Sequence, residues 1–274
     1  MKILIIGGGN MGLTYAQSFL RSHICTQADM MLLEKSPERA AVLAEKAIGT
    51  VYATPEDCLR AADLVILAVK PQDVPALFGH IAPMTDPQQV FLSIMAGVKI
   101  QTIREGLGVS KVIRAMPNLP AQLGQGMTAF TSSEEVTRIE LVTVQNLLNT
   151  TGKTLYVEKE EAIDAATAVS GSGPAYVFYF MEAMMQAARE MGFSPSEAGL
   201  LVGQTFLGAT ELYLASGLST REWIQRVASK GGTTEAAIAK FSEDLLDKRI
   251  GNGLKAALTR AEELGGRGKI DGGR

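Results

Sequence analysis

The spacing of apolar positions changes once along the chain. Over residues 1–158, apolar runs of about four to eight residues, rich in Ile, Leu and Val, alternate with stretches of helical period. The runs at 2–6, 29–33, 62–69, 90–95, 111–115, 127–130 and 153–157 read as strands, and 13–20, 38–46, 73–81, 99–107 and 133–148 as helices. Ile3-Leu4-Ile5-Ile6 lacks polar alternation, as suits a central strand covered on both faces, and strands alternating with helices predict a parallel sheet. From residue 159 the pattern is helical to about residue 264, which predicts an α/β domain over 1–158 and an all-α domain over 159–264. Lys159-Glu160-Glu161 reads as a solvated hinge between them, and the Gly- and charge-rich tail 265–274 as disordered.

Two helices of the second half lack a polar face. Ser170-Gly171-Ser172-Gly173-Pro174-Ala175-Tyr176 opens the first: the glycines permit a turn, Ser172 is placed to cap, and Pro174 suits a first helical turn. Between 174 and 188 the only charge is Glu182, and between 195 and 216 only Glu197 and Glu211, so both helices should be buried all round. One small domain cannot cover two such helices. Two copies sharing a helical core, most simply a symmetric homodimer, is the economical arrangement, and burial against the first domain is the competing one.

Composition narrows the function classes. With 274 residues, a net charge of −3 and 20% charged residues, the chain has no basic excess for nucleic acid, and its apolar runs stop short of the ~20 residues that span a membrane. Lys2 followed directly by a strand is unlike a signal peptide, so a cytoplasmic protein is expected. Cys25 and Cys58 share no metal or redox spacing.

The candidate chemistry of the first half begins at its first turn. Gly7-Gly8-Gly9-Asn10-Met11-Gly12 sits between a strand and a helix, the setting of the Rossmann-type dinucleotide fold. There Gly7 allows the turn, Gly9 lets backbone approach a pyrophosphate, Gly12 lets helix pack on strand, and the helix start at Asn10 and Met11 favours phosphate charge. Glu34, about 20 residues on, is placed to accept from a ribose 2′-OH and favour NADH. Lys35, Ser36 and Arg39 suit the 2′-phosphate of NADPH, so cofactor choice stays divided. Ligands lie at the carboxyl ends of strands, which brings in the turns Ala68-Val69-Lys70-Pro71 and Ala96-Gly97. Asn118 follows a strand at the same rim, where it either reaches nicotinamide or substrate or ties its own loop. In the second half, Ser229-Lys230-Gly231-Gly232-Thr233-Thr234 starts a helix and presents hydroxyls and backbone amides together, as an anion site or as an ordinary cap.

The segments Gly-Gly-Asn-Met-Gly, Ala-Val-Lys-Pro, Arg-Ala-Met-Pro-Asn, Ser-Gly-Ser-Gly-Pro-Ala-Tyr and Gly-Gly-Thr-Thr, in this order, resemble the pyrroline-5-carboxylate reductase family. The resemblance implies NAD(P)H-dependent reduction of 1-pyrroline-5-carboxylate to proline, the last step of proline biosynthesis. It also implies that the second half dimerises, that dimers can assemble further, and that the loop 229–234 binds substrate. The chain departs from the family at Lys230, where Pro is common; Pro would preset the backbone, whereas Lys loosens the loop or adds attraction for a carboxylate.

The residue inventory agrees with imine reduction. Both histidines, His23 and His80, lie in the first half, and no lysine occurs between Lys159 and Lys230, so the long helices supply no base for alcohol oxidation. That counts against a 3-hydroxyacid-type dehydrogenase, the alternative enzyme; a non-catalytic dinucleotide sensor is the alternative of another class. A protonated cyclic imine accepts hydride directly, and the protein chiefly orients the reactants. Thr234 is then the expected catalytic residue, bonded to the ring nitrogen, with the amides of Gly231, Gly232 and Thr233 on the carboxylate and Ser229 and Asn118 completing the substrate site.

Overall fold

The computed structural model describes residues 1–266. By packing they divide into two units: Met1–Gly173 with the chain from Ala256 onward, and Pro174–Lys255. The first unit carries β1 (Ile3–Ile6), β2 (Met30–Leu33), β3 (Thr50–Tyr52), β4 (Leu64–Leu67), β5 (Val90–Ser93), β6 (Val112–Met116), β7 (Gly126–Ser132) and β8 (Gly152–Tyr156). They form one sheet in the order β3-β2-β1-β4-β5-β6-β7-β8, antiparallel only between β6 and β7. Helices α1 (Asn10–Arg21), α2 (Pro37–Glu45), α3 (Val74–Ile81), α4 (Ile100–Leu107), α5 (Arg138–Asn149) and α6 (Glu161–Ala166) complete the unit.

The strand period of two sorts the apolar runs into two cores. Ile3 and Ile5 pack with Met30, Leu32, Leu64 and Ile66 on one face, while Leu4 and Ile6 pack with Met31, Leu33, Val65 and Leu67 on the other. Every residue of β1, β2, β4 and β5 is buried, as continuous apolar runs require. The strand the sequence reading passes over is β3, three residues long and only half covered. Cys25 and Cys58 are free and buried, and burial pushes the Cys58 thiol up to about 11, which keeps it inert at neutral pH.

The glycine-rich stretch before the first long helix is not a capped start. Ser172 is helical, at φ −83° and ψ −17°, and its amide reaches back five residues to the Thr167 carbonyl at 2.9 Å. A π-helical segment, Thr167–Gly171, thus carries α6 directly into α7 (Gly173–Glu190). Glu160, expected in a solvated hinge, is instead drawn against Arg114 of β6. Arg114 is 1% exposed; its Nη1 bonds Glu160 at 3.0 Å and its Nη2 bonds Asp164 at 2.6 Å. The same Glu160 oxygen accepts from the Ile100 amide at 2.9 Å, so one carboxylate joins β6, α4 and the chain entering α6.

The second unit is helical: α7 is followed by α8 (Pro195–Leu214), α9 (Thr220–Val227), α10 (Thr233–Glu243) and α11 (Leu246–Gly266), the last returning to the first unit. Gly265 and Gly266, expected in the tail, end α11; the rest of that expected tail lies outside the described residues. Within one chain the expected all-round burial of the long helices is not met. No residue of α7 is buried, α8 buries only Ala198 and Val202, and Tyr179, Leu200 and Leu214 are 76, 72 and 73% exposed. No helix among the described residues is long and apolar enough to cross a membrane.

Helices α8 and α9 start with capping boxes, Ser194 with Glu197 and Ser219 with Glu222. The serine side chain and backbone hydrogen bonds hold both carboxyls below their usual range. A lowered folded value means stabilisation present above the ordinary carboxylate value and lost as pH falls through the folded one. Helicity followed by circular dichroism should therefore fall below about pH 4, and less of it should be pH-dependent in Ser194→Ala and Ser219→Ala.

Candidate functional site

Strand order reverses between β1 and β4, where α/β sheets bind ligands. Gly7, at the end of β1, has φ +107°, and a Cβ there would lie 2.7 Å from the Ala68 carbonyl oxygen beyond β4. A Cβ on Gly12 would lie 2.2 Å from the Gly7 oxygen and 3.2 Å from Ile5 Cγ2, so this glycine lets α1 close on β1. Gly12→Ala is expected to cost about 1–3 kcal/mol by overpacking, read from thermal unfolding. Gly9 is the N-cap of α1 and has no side-chain cap; a Cβ there would meet only Arg39 Nη2, at 3.7 Å. Leu13 is the first amide bonded within this turn, to Gly9 at 2.9 Å, leaving those of Asn10, Met11 and Gly12 as the open first turn.

A cleft of about 730 Å³ opens beside this turn. Of the expected cofactor residues, Gly7, Gly9, Lys35, Ser36, Ala68, Val69 and Lys70 line it, with Glu34 and Arg39. Asn10, Met11, Gly12 and Pro71 lie outside its wall, although the first three form the open turn. Gly97, at φ +74°, leaves room for the end of α11: a Cβ would meet Leu264 at 3.0 Å, so the turn of Ala96 and Gly97 abuts protein there. The sequence reading missed the wall formed by Ala53, Thr54 and Pro55, because these follow the unread β3. It also missed Ala76, Leu77 and His80, whose i, i+1 and i+4 spacing on α3 turns them to the cleft together. The open turn, the bare Gly9 and the cleft volume fit a dinucleotide.

Charges at the lip are already partly engaged. Lys35 Nζ bonds Asp73 at 2.9 Å, which holds the exposed ammonium above its usual value. Ser36 caps α2, its Oγ accepting from the Arg39 amide at 3.3 Å and donating to Glu38 at 2.7 Å. Glu34 is 8% exposed and accepts from the Gly8 amide and the Ser36 amide, each at 3.0 Å.

Asn118 follows β6 and is tied at both ends of its amide. Its Oδ1 accepts from the Met127 amide at 2.9 Å, and its Nδ2 donates to the Ser170 carbonyl at 3.0 Å. Pro174, four residues beyond Ser170, has no N–H to offer that carbonyl, and the asparagine supplies the donor. A Cβ on Gly171 would meet Met116 Cε at 3.1 Å, so the Met116-Pro117-Asn118 turn and the π segment pack together.

In the second unit the 229–234 loop is organised differently from expectation. The Gly231 amide donates to Glu235 Oε2 at 2.6 Å, and the Gly232 amide to the Ser229 carbonyl at 3.0 Å. Neither is open to an anion in this arrangement. Gly232 is the N-cap of α10 and the Ala236 amide closes on it at 3.2 Å, so the open first-turn amides are those of Thr233, Thr234 and Glu235. The Thr234 hydroxyl is half-buried and has no hydrogen-bond partner among the described residues. Gly231 has φ +70°, and a Cβ on Gly232 would lie 2.6 Å from Ser229 Oγ, so both glycines are required by the turn. Among the described residues no cluster of His, Cys, Asp and Glu is arranged to hold a metal.

Residues 160–264 match the family described as pyrroline-5-carboxylate reductase dimerisation, and residues 2–97 match that described as NADP oxidoreductase, coenzyme F420-dependent. A pyrroline-5-carboxylate reductase of Pseudomonas aeruginosa is 37% identical over 96% of both chains. The structure of a pyrroline-5-carboxylate reductase from Coxiella burnetii superposes with a TM-score of 0.89 at 30% identity, covering 96% of this chain and 98% of that one. A Plasmodium falciparum pyrroline carboxylate reductase with NADP bound superposes with a TM-score of 0.86 at 25% identity over 97 and 98%. The likeness runs through both units, and this chain belongs to the pyrroline-5-carboxylate reductase family.

Proposed function

We propose that the protein reduces the C=N bond of 1-pyrroline-5-carboxylate with NAD(P)H to give L-proline, the final step of proline biosynthesis. The observation that carries this reading is the Gly231-Gly232-Thr233-Thr234 turn, with the amides of Thr233 and Thr234 open and the Thr234 hydroxyl unpartnered among the described residues, in a unit without histidine. The dinucleotide, when bound, supplies the hydride. The amides of Thr233 and Thr234 hold the substrate carboxylate, and the Thr234 hydroxyl donates to the ring nitrogen as it gains an electron pair. Ser229 shapes the turn by accepting from Gly232. Asn118 acts by positioning, since both ends of its amide hold backbone.

The pyrophosphate lies on the open turn of Asn10, Met11 and Gly12. NADPH is preferred and NADH accepted, because the Glu34 charge is countered by two amides while Lys70 remains at the cleft. Cofactor oxidation on adding 1-pyrroline-5-carboxylate, followed by absorbance, tests the activity. Oxidation with neither cofactor overturns it, and turnover of a 3-hydroxy acid instead would restore the dehydrogenase alternative.

The functional unit is a homodimer built on α7 and α8, whose apolar side chains stand exposed in the single chain, and it acts in the cytoplasm. Val177→Asp, placing a charge in that layer, should dissociate the dimer in light scattering. A wild-type monomer at micromolar concentration would overturn the proposal.

A further inference from the structure

The Gly8 backbone is held on both sides of its Cα. Its N–H donates to Glu34 Oε2 at 3.0 Å, and its carbonyl accepts from Arg39 Nη2 at 2.9 Å. Glu34 is buried, its other oxygen is taken by the Ser36 amide at 3.0 Å, and Arg39 Nε stands 3.8 Å from the same Oε2. Acid and base are therefore joined through the backbone of one residue of the phosphate-binding turn, across its two adjoining peptide groups, as well as directly. The fit leaves no slack: a Cβ on Gly8 would lie 3.0 Å from Glu34 Oε2 and 2.3 Å from Leu43 Cδ1.

From sequence spacing, Glu34 reads as a residue that accepts from a ribose hydroxyl and repels a 2′-phosphate. We infer a different role: Glu34 and Arg39 are positioning residues that clamp the Gly8 backbone and hold the turn in shape before the dinucleotide arrives. The inference rests on the reading of the cleft as a dinucleotide site. A carboxylate committed to two backbone amides is charge-compensated and directionally satisfied, so its loss disturbs the turn first. The open amides of Asn10, Met11 and Gly12 follow directly from that turn, and their direction depends on Gly8. Without the clamp the turn keeps its binding geometry in only a fraction of molecules, and apparent affinity falls by that fraction for every ligand that uses it.

The test is calorimetric titration of wild type, Glu34→Gln and Arg39→Met with NADH, NADPH and ADP. Glu34→Gln is expected to weaken NADH and NADPH alike, by about ten-fold or more, with their ratio unchanged within about three-fold and ADP weakened in step. Arg39→Met is expected to weaken NADH as well, which has no 2′-phosphate for an arginine to hold. The double variant should be little worse than the poorer single, because both residues act on the backbone of one residue and contact each other. Tighter NADPH binding with weaker NADH in Glu34→Gln would overturn the inference, as would unchanged binding of all three ligands. Wild type that binds none of them overturns the dinucleotide reading itself. Should the variants fold poorly, hydrogen exchange in the free wild-type protein decides: a protected Gly8 amide is expected, and exchange at the rate of an open loop would sink the clamp.

Discussion

Thr234→Ala is expected to lower kcat and kcat/KM together, by about 10- to 1,000-fold, with little change in stability or cofactor binding. The residue stands at the second position of α10, behind the N-cap Gly232, and its hydroxyl makes no hydrogen bond among the described residues. Serines that do cap, Ser194 and Ser219, accept from the amide three residues on and are boxed by a glutamate. Thr234 has no such task, so its removal should shift the unfolding free energy by only about 0.5 kcal/mol. Its free donor is useful when the ring nitrogen gains charge density, so the loss falls on the transition state. Thr234→Ser should recover most of the activity. Gly232→Val should instead raise the substrate KM, because any side chain there must displace Ser229, 2.6 Å from the added carbon. Full turnover by Thr234→Ala in steady-state assays would mean that water or an already protonated substrate provides the proton.

The largest expected effect on stability comes from Arg114. Replacing it with Met leaves the Asp164 carboxylate, whose side chain is 5% exposed, without its cation. Breaking a buried pair from one side costs about 3–5 kcal/mol, and for a chain of this size the melting temperature should fall by roughly 10 °C. Arg114→Met combined with Asp164→Leu should lose much less, since no unpaired charge then stays buried. Among the described residues Arg114 Nε has no hydrogen-bond partner even in the intact network, so they leave the cluster incompletely satisfied. A thermal double-mutant cycle measures the difference; equal losses in the single and double variants would show that Arg114 contributes through packing alone. The cluster also carries α6 into the π segment that Asn118 grips, so active-site turnover should decline with it.

How far the site could be read from the sequence depended on the range of the interactions. Gly7 and Gly12 were legible because their tasks involve neighbours within one strand–turn–helix unit: a turn at φ +107° and a close approach to Ile5. The place of Val69 and Lys70 in the cleft wall was legible because, in a doubly wound sheet, the crevice opens at the carboxyl ends of the strands. Ala53 to Pro55 were missed because β3 has three residues, too few for a period to register. Ser172 was misread because glycine, serine and proline are equally the composition of a turn and of a helix that takes in one extra residue. What holds the π segment is Asn118 and Met116, more than fifty residues away in sequence. Glu160 read as solvated because a charge run says nothing of a buried arginine on another element.

By itself, then, the sequence determined the strand–helix alternation, the glycine-rich turn after β1, the helical second half and the helix start bearing Thr234. Each of these depends on periodicity, on backbone freedom at glycine or on side chains only a few positions apart. The tertiary structure alone decided where the polar groups spend their hydrogen bonds. It turned Glu34 and Arg39 onto the Gly8 backbone, gave the Gly231 amide to Glu235, tied Asn118 to Ser170, and buried Arg114 between Glu160 and Asp164. The physical reason is that burial makes an unpaired polar group costly, so each takes the nearest partner that folding delivers, and for most of these groups that partner is distant in sequence.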